Sequence, residues 1–233
     1  MEQLRTVRTK LYAHLDPIFV RVAEAEEGLL LFEGDIAVRE AGELVLEANA
    51  VPSNFLWSGG EIPFVMETAQ TALVEAAMAH WEQHTNVRFR SPQSNETSFV
   101  VFRPSANGSN SEVGRRGGAQ VVNVFNGADV GEVIHEIGHA VGLWHEHTRR
   151  DRDTHITIDP LNILFPNAIQ FAIQQDGVLL GAYDFDSIMH YPADAYALDP
   201  SLPVITTIPA GIPIGQRNGL SAGDIAAVAT LYP

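Results

Sequence analysis

The sequence predicts an α+β fold in which strands cluster between two helices. Residues 68–84 are rich in alanine and leucine, and their apolar side chains repeat at helical spacing, which predicts a long amphipathic helix. Three stretches of β-branched or alternating residues follow, at 87–89, 98–102 and 119–125. Glycine, serine and asparagine separate these stretches, as is typical of strands joined by turns. A second helix is predicted over residues 128–141, so the strands lie between two helices along the chain.

The segment before the first of these helices is predicted to be a structural unit of its own. Apolar residues recur at helical spacing over residues 2–15, which predicts an amphipathic helix that Pro17 ends. The composition changes again over residues 28–50, where a short apolar run precedes an acidic stretch. We therefore place a boundary between segments near residues 47–52.

The chain beyond Gly142 is punctuated by proline and glycine and is predicted to be largely irregular. Regular structure returns at residues 221–231, where Ser221 and Asp224 stand at the spacing of a capping box. The sequence therefore predicts one helix near the carboxyl end of an otherwise irregular region.

Composition and charge exclude several classes of protein. The chain has 233 residues, of which 45% are hydrophobic and 18% are charged, which rules out wholesale disorder, a coiled coil and a collagen-like fibre. Its net charge of −15 would repel the phosphates of nucleic acids and the surface of an anionic membrane. No apolar run approaches the roughly 20 residues that a membrane-spanning helix needs. We therefore expect a globular protein that neither binds nucleic acid nor inserts into a membrane.

Two absences bear on the compartment and the chemistry of the protein. The amino-terminal residues lack the apolar region and cleavage site of a secretion signal, so the sequence either omits such a signal or belongs to a cytosolic protein. The chain contains no cysteine, which removes disulfides and thiolate ligands. A metal site in this protein would therefore use histidine and carboxylate ligands.

The second predicted helix and the turn after it combine the ligands and the base of a catalytic zinc site. On a helix, His135 and His139 lie one turn apart on the same side, so both imidazoles can bind one ion. Glu136 follows the first ligand, at the position from which a carboxylate can accept a proton from water on the metal. Gly142 can take the left-handed conformation that ends a helix, and His145 then returns as the third ligand. Three protein ligands leave one position open, which is typical of catalytic zinc.

Other patterns of histidine and serine are weaker. The alternative to the zinc site is a surface helix with incidental histidines, which leaves the stop glycine and the third histidine unexplained. His80 and His84 are also four residues apart, but no glutamate follows His80, so we interpret both as residues on a helix face. Residues 219–223 match the G-x-S-x-G pattern of serine hydrolases, but Ser221 is better explained as a helix cap. Core or solvated roles are expected for three other histidines: His14, His147 and His155.

Residues 135–146 and 183–191 resemble two motifs of the astacin family of zinc metallopeptidases, which belongs to the metzincins. The glutamate after the third histidine, Glu146, and the sequence Ser-Ile-Met-His-Tyr distinguish this family from other metzincins. The similarity covers most of residues 56–233, including the following stretches: 56–63, 113–118, 149–153 and 214–217.

The resemblance implies a metzincin fold with a catalytic domain over residues 48–233. The upper subdomain, about residues 48–142, would hold a twisted mixed sheet and two long helices. The lower subdomain, about residues 143–233, would be mostly irregular with a carboxyl-terminal helix, and the active-site cleft would lie between the two around one zinc ion. Met189 would pack beneath the zinc without binding it. Tyr191 would bind zinc at rest and form a hydrogen bond to the oxyanion during the reaction.

The resemblance also implies that residues 1–47 are an inhibitory pro-segment. Residues 31–36 are similar to the inhibitory motif of the family, whose aspartate, here Asp35, would occupy the open position on zinc. Cleavage by an activating protease near Ala48 would create a new amino terminus, which would be buried close to Glu146.

The expected function is that of a latent zinc endopeptidase that hydrolyses internal bonds of proteins or peptides, with Glu136 as general base. The alternative from another class is a catalytically silent, peptide-binding relative whose pro-segment stays in the cleft. A metallohydrolase that acts on other substrates is a third candidate. The family implies secretion, and the missing signal sequence leaves the cytoplasm as the alternative.

Arg217 matches a basic position that in some relatives faces the pocket for the residue after the scissile bond. A guanidinium there favours Asp or Glu at that position of the substrate, and the alternative is a surface salt bridge that anchors the last helix.

The missing cysteines, and Leu143 in place of the usual phenylalanine, suggest a compact bacterial-type member of the family.

Overall fold

The computed structural model describes residues 4–9, 18–24, 30–32, 36–38, 50–51, 53–164, 167–174 and 178–233. Asp35 and Ala48 lie outside these ranges. The strands and helices within them are β1 (Leu4–Thr9), β2 (Ile18–Glu24), β3 (Leu30–Phe32), β4 (Ile36–Val38), β5 (Glu61–Met66), α1 (Thr71–His84), β6 (Arg88–Arg90), β7 (Phe99–Ser105), β8 (Asn110–Ser111), β9 (Ala119–Phe125), α2 (Val130–Val141), β10 (Ile156–Ile158), β11 (Ile205–Thr207) and α3 (Ala222–Leu231).

Strands β1 to β9 form one mixed sheet in the order β1-β2-β3-β4-β8-β9-β7-β5-β6. Strands β6, β5, β7 and β9 are parallel to one another, whereas β8 runs antiparallel to β9. Strands β1 to β4 form an antiparallel meander, and β4 joins it to β8 through a parallel pairing of Ile36 with Ser111. The amino-terminal strands therefore extend the sheet along the edge of β8.

The helix predicted over residues 2–15 is wrong for the described part of that segment. Residues Leu4–Thr9 form β1 and pair with β2, with Val7 opposite Val20. β-Branched residues recur in β1, and such residues favour an extended backbone. The pairing of a whole strand outweighs the helical spacing of a few apolar residues, which is a weak signal on its own.

The two central helices agree with the prediction, and the α+β class with a mixed sheet is confirmed. Helix α2 begins after Asp129, whose carboxylate accepts a hydrogen bond from the N–H of Glu132. It ends at Gly142, which has a φ of 122° and donates its N–H to the carbonyls of Gly138 and His139. Residues with a Cβ rarely adopt this conformation, so the glycine lets the chain turn directly after the helix.

Helices α1 and α2 pack with the sheet around the main hydrophobic core. Trp81 of α1 is fully buried and donates its indole N–H to the carbonyl of Ile134 in α2, at 3.1 Å. Trp57 donates in the same way to the carbonyl of Ala140, at 2.8 Å. These bonds satisfy two buried indoles and fix the helix that carries the predicted zinc ligands.

The described chain after Gly142 is mostly irregular, as predicted, apart from short 3-10 turns, the β10–β11 ribbon and α3. Helix α3 begins at the predicted capping box: the Ser221 hydroxyl accepts from the N–H of Asp224, and the Asp224 carboxylate accepts from the N–H of Ser221. Val228 and Tyr232 then return to the main core. In the ranges that the structure describes, no helix is long and apolar enough to cross a membrane.

Candidate metal centre

Three buried histidines converge at the end of helix α2. His135 and His139 lie one turn apart on this helix, and His145 reaches the same point after the turn at Gly142. One ligand nitrogen from each ring lies within 4.8 Å of the other two. Among the described residues, this is the group of histidine and acidic side chains that has the geometry of a metal site. The structure thus brings the three predicted ligands together, with the buried Glu136 on the same turn of helix.

In the two ligands on helix α2, the ring nitrogen that faces away from this point binds a backbone carbonyl. The Nδ1 atom of His135 lies 2.8 Å from the carbonyl oxygen of Ile188, and that of His139 lies 2.9 Å from the carbonyl oxygen of Leu143. A carbonyl can only accept, so each Nδ1 carries the proton. Each Nε2 then keeps a lone pair, which is the form of imidazole that binds metals. The donor set therefore fits a catalytic zinc ion with three protein ligands.

The turn over residues 187–191, which we name the Met-turn, is packed against helix α2. A Cβ atom at Gly138 would lie 2.6 Å from the Sδ atom of Met189, so only glycine allows this close approach. Asp224 of α3 holds the turn from the other side. Its carboxylate accepts hydrogen bonds from the hydroxyl of Ser187 at 2.6 Å and from the N–H of Ile188 at 2.9 Å. The Met-turn is thus fixed between two helices.

Tyr191 is buried next to the third histidine among aromatic rings. Its ring centroid lies 4.6 Å from that of His145 and 4.0 Å from that of His147, whose plane is tilted by 23°. Phe171 and Tyr196 complete the surroundings, with centroids at 6.1 and 5.9 Å. The predicted oxyanion donor therefore lies close to the metal ligands and is stacked on a second histidine.

A cavity of about 410 Å³ lies beside the Met-turn and helix α3. Glu146, Asp184 and Asp224 are among the residues that line it. Burial raises the pKa of Glu146 to about 8, although the Arg149 guanidinium, 3.3 Å away, favours the charged form. Burial also raises the pKa of Asp224. A positive charge that entered this cavity would stabilise the ionised form of Glu146.

The guanidinium of Arg217 binds backbone carbonyls of the Met-turn and of the residue that precedes Arg217. Its Nη1 atom donates to the carbonyls of Ile188, His190 and Gln216, at 2.9, 3.2 and 2.9 Å. It forms no ion pair with any residue that the structure describes, so the surface salt bridge considered as its alternative role is not seen there. Its carbonyl oxygen lies so close to Gly131 of α2 that any Cβ at that position would overlap it.

Three polar side chains around the segment that carries Tyr191 have no functional role that the sequence predicts. His147 stacks on its ring, while Tyr183 and His190 form a hydrogen bond to each other at 2.7 Å. Burial lowers the pKa of His190 to about 4 and that of His147 well below its usual range. Both histidines are therefore neutral at pH 7. Tyr183 and His190 both lie within the family motif over residues 183–191, which is the sequence signal that points to them.

Comparison with known proteins identifies the family. The sequence profile of one family, described as Astacin, a peptidase family, matches residues 50–233. Human tolloid-like protein 1 is 39% identical over 244 aligned residues, which cover 97% of this chain and 24% of that protein. High choriolytic enzyme 2 of Oryzias latipes is 38% identical over 178 residues, which cover 73% of this chain and 63% of that protein. The chain spans about a fifth to a quarter of the length of the tolloid-like proteins that it matches.

Solved structures agree with this assignment. The structure of high choriolytic enzyme 1, a hatching enzyme zinc-protease from Oryzias latipes, matches with a TM-score of 0.73 at 36% identity. Myroilysin matches with a TM-score of 0.55 at 25% identity, and each comparison covers 79% of this chain and 98% of the other. The metzincin fold predicted from the resemblance is confirmed. The chain belongs to the astacin family of peptidases and carries its metalloendopeptidase domain with a three-histidine zinc site.

Proposed function

We propose that this protein is an endopeptidase that cleaves internal bonds of proteins or peptides and is made in a latent form. The observation that carries the proposal is the convergence of His135, His139 and His145 beside Glu136 in a chain of a peptidase family. A zinc ion held by these residues would act as a Lewis acid and lower the pKa of the water bound to it to about 7.

Glu136 acts as the general base and then as the general acid. Its carboxylate is buried on the same helical turn as two of the ligands, so it can accept a proton from the attacking water and pass it to the leaving amine. Tyr191 donates a hydrogen bond to the oxygen of the scissile carbonyl as that oxygen gains negative charge. At rest the phenol of Tyr191 would bind zinc, with its ring stacked on His147 beside His145, and it would then rotate toward this oxygen.

The amino-terminal strands support the latent form. Strand β4 pairs with β8 through Ile36 and Ser111, at the edge of the sheet beside the start of α2. An extended substrate can add to a sheet edge in the same way, so a strand of this chain would compete with substrate there. Asp35, the proposed carboxylate on zinc, directly precedes β4 in the sequence. The proposed inhibition therefore combines an occupied sheet edge with an occupied metal position.

Activation follows from removal of the pro-segment, residues 1–47, by another protease. Ala50 pairs with Leu143, so the chain just after the proposed cleavage site already runs beside the turn that leads to Glu146. Two residues span at most about 7 Å, so a new amino terminus at Ala48 stays near this turn. Its ammonium group would enter the cavity and compensate the carboxylate of Glu146.

Arg217 supports a preference for acidic residues after the scissile bond. Within the described part of the chain, the hydrogen bonds of its guanidinium all come from Nη1. Nε and Nη2 are therefore left to form a bidentate pair with a substrate carboxylate.

We further propose that the protein is secreted, as the family implies.

The test combines metal analysis with cleavage of casein by three proteins: the uncleaved 233-residue chain, its Asp35→Ala variant and a form that begins at Ala48. We expect one zinc per chain in each, no activity in the uncleaved chain, partial activity in the variant and full activity in the Ala48 form. Glu136→Gln in the Ala48 form should retain zinc and lose turnover.

Three results would contradict parts of this proposal. Protein that contains no zinc and gains no activity from added zinc would exclude a zinc peptidase. Full activity of the uncut wild type would exclude latency. An Ala48 form that holds zinc and binds peptides without cleaving them would identify the peptide-binding alternative instead.

A further inference from the structure

We propose that Tyr183 and His190 are positioning residues, which hold the catalytic Tyr191 through its backbone carbonyl. This inference rests on the proposed function, in which Tyr191 is the oxyanion donor. It concerns the residues that fix the backbone from which the phenol of Tyr191 rotates, rather than Tyr191 itself.

Two short hydrogen bonds connect these three residues. The hydroxyl of Tyr183 lies 2.7 Å from Nε2 of His190, and Nδ1 of His190 lies 2.7 Å from the carbonyl oxygen of Tyr191. A carbonyl can only accept, so Nδ1 carries the proton. His190 is fully buried, which favours the neutral ring, so Nε2 accepts its hydrogen bond from the Tyr183 hydroxyl. The direction of both bonds is therefore fixed.

Tyr183 is itself held by contacts to its ring. The ring of His155 stacks on it with centroids 4.6 Å apart and planes at 14°, and the Cζ atom of Arg149 lies 5.7 Å from its centroid. Arg149 is anchored in turn by the carboxylate of Asp151 and by the carbonyls of two loop residues. The tyrosine hydroxyl thus reaches His190 from a ring that is packed in place.

The residue before Tyr191 is bound at three points. The ring of His190 binds as described. Its backbone N–H donates to the carbonyl of Ser187 at 3.1 Å, and its backbone carbonyl accepts from Arg217 at 3.2 Å. In the proposed mechanism the phenol of Tyr191 changes its position while its backbone stays in place. A fixed backbone limits this motion to side-chain rotation, so the hydroxyl returns to the same point in each cycle.

The first measurement is steady-state kinetics of Tyr183→Phe in the active form. This change removes one hydroxyl group and keeps the ring contacts. We expect kcat to fall about tenfold and KM to stay within about twofold, because the lost alignment acts mainly in the transition state. His190→Asn should lower kcat similarly, because it removes the acceptor for Tyr183.

The matched control is Tyr232→Phe. Tyr232 is also a buried tyrosine, and its hydroxyl donates to the carbonyl of Val141 at 2.6 Å, within the main core. We expect a similar loss of thermal stability in both variants of the metal-free protein, and wild-type kcat in Tyr232→Phe only.

A double-mutant cycle with Tyr191→Phe separates positioning from a general structural effect. If Tyr183 acts through Tyr191, adding Tyr183→Phe to Tyr191→Phe causes no further loss of kcat. Zinc release to a chelator gives a second readout: both single variants should release zinc faster than wild type, and the double variant no faster than Tyr191→Phe alone.

Additive losses in the cycle, or wild-type kcat in Tyr183→Phe, would overturn the inference. Failure of the proposed function has a different signature, since the wild-type active form would then show no turnover at all.

Discussion

His135 and Arg217 donate hydrogen bonds to the same acceptor, the carbonyl oxygen of Ile188, at 2.8 and 2.9 Å. The first donor is the Nδ1–H of a zinc ligand, and the second is the Nη1–H of the residue proposed to bind an acidic substrate. The Met-turn therefore connects the orientation of a predicted zinc ligand with the residue proposed to recognise substrate.

Arg217→Met removes the second donor and keeps much of the side-chain volume. We expect zinc affinity to fall by about tenfold, because bonds behind the ligands orient them. Competition with a chelating dye measures this affinity. Arg103→Met is the control, because Arg103 forms an exposed ion pair with Glu67 at 2.9 Å, and it should leave zinc affinity unchanged. Equal affinities in all three proteins would show that Arg217 does not support the metal site.

Cleavage-site profiling of the same Arg217→Met variant tests specificity separately. In a peptide library, we expect wild type to favour Asp or Glu directly after the cleaved bond and the variant to lose this preference, since a thioether cannot pair with a carboxylate. If the two profiles are identical, Arg217 serves the Met-turn alone.

Gly131→Ala should destabilise the fold more than Gly138→Ala. A methyl group at Gly138 meets the flexible thioether of Met189, which overpacks the core and costs about 1–3 kcal/mol. A methyl group at Gly131 meets the backbone carbonyl of Arg217, which cannot rotate away. Denaturant unfolding gives the order, and adding Met189→Val should recover stability only in Gly138→Ala. The reverse order would mean that the chain beyond the Met-turn shifts easily.

Glu146 should make the uncleaved chain less stable as the pH rises from about 5 to about 8. Burial raises its pKa from 4.5 to about 8, so in this range the folded chain binds a proton that the unfolded chain has released. The free energy of unfolding then falls by up to about 1.4 kcal/mol per pH unit. In urea unfolding, the free energy of unfolding of wild type should fall relative to that of Glu146→Gln as the pH rises, because glutamine does not titrate, and parallel curves would contradict the assignment.

The same titration should nearly vanish in the form that begins at Ala48. There the new ammonium group favours the ionised carboxylate of Glu146, which lowers its pKa toward the unfolded value. Glu146→Ala should accordingly affect the processed form more than the uncleaved chain, as activity and thermal unfolding can show.

Tyr191→Phe should lower kcat by about 100-fold and leave KM nearly unchanged, because the hydrogen bond forms mainly in the transition state. The ring contacts with His147 and His145 do not involve the hydroxyl, so the phenylalanine should occupy the same place. Steady-state kinetics on a fluorogenic peptide measures both constants. An unchanged kcat would remove Tyr191 from the mechanism.

The features that could be predicted from the sequence depend on residues close together in the chain. The zinc ligands lie on one helix and the turn after it, β9 is a single alternating run, and the cap of α3 needs only Ser221 and Asp224. Each pattern contains its own physical cause, such as helical spacing or a glycine that ends a helix.

The missed features depend on partners that are distant in the sequence or on how a turn folds. Strand β1 is a strand because β2 pairs with it, whereas its own residues also fit a helix. The sequence predicts that Asp224 caps α3, but it does not predict the bond to Ser187, because the two residues are 37 positions apart. Tyr183 and His190 meet because the Met-turn brings them together, which no periodicity of the sequence encodes.

Because Asp224 holds the Met-turn, the order of synthesis decides when the site can form. The ribosome makes the three histidines well before it makes helix α3. Until that helix has emerged, Ser187 and Ile188 lack the carboxylate that binds them, and the cavity beside Glu146 lacks the wall that α3 provides. A nascent chain therefore carries the three histidines before it holds the helix that fixes the Met-turn, and the site is complete only after α3 has folded.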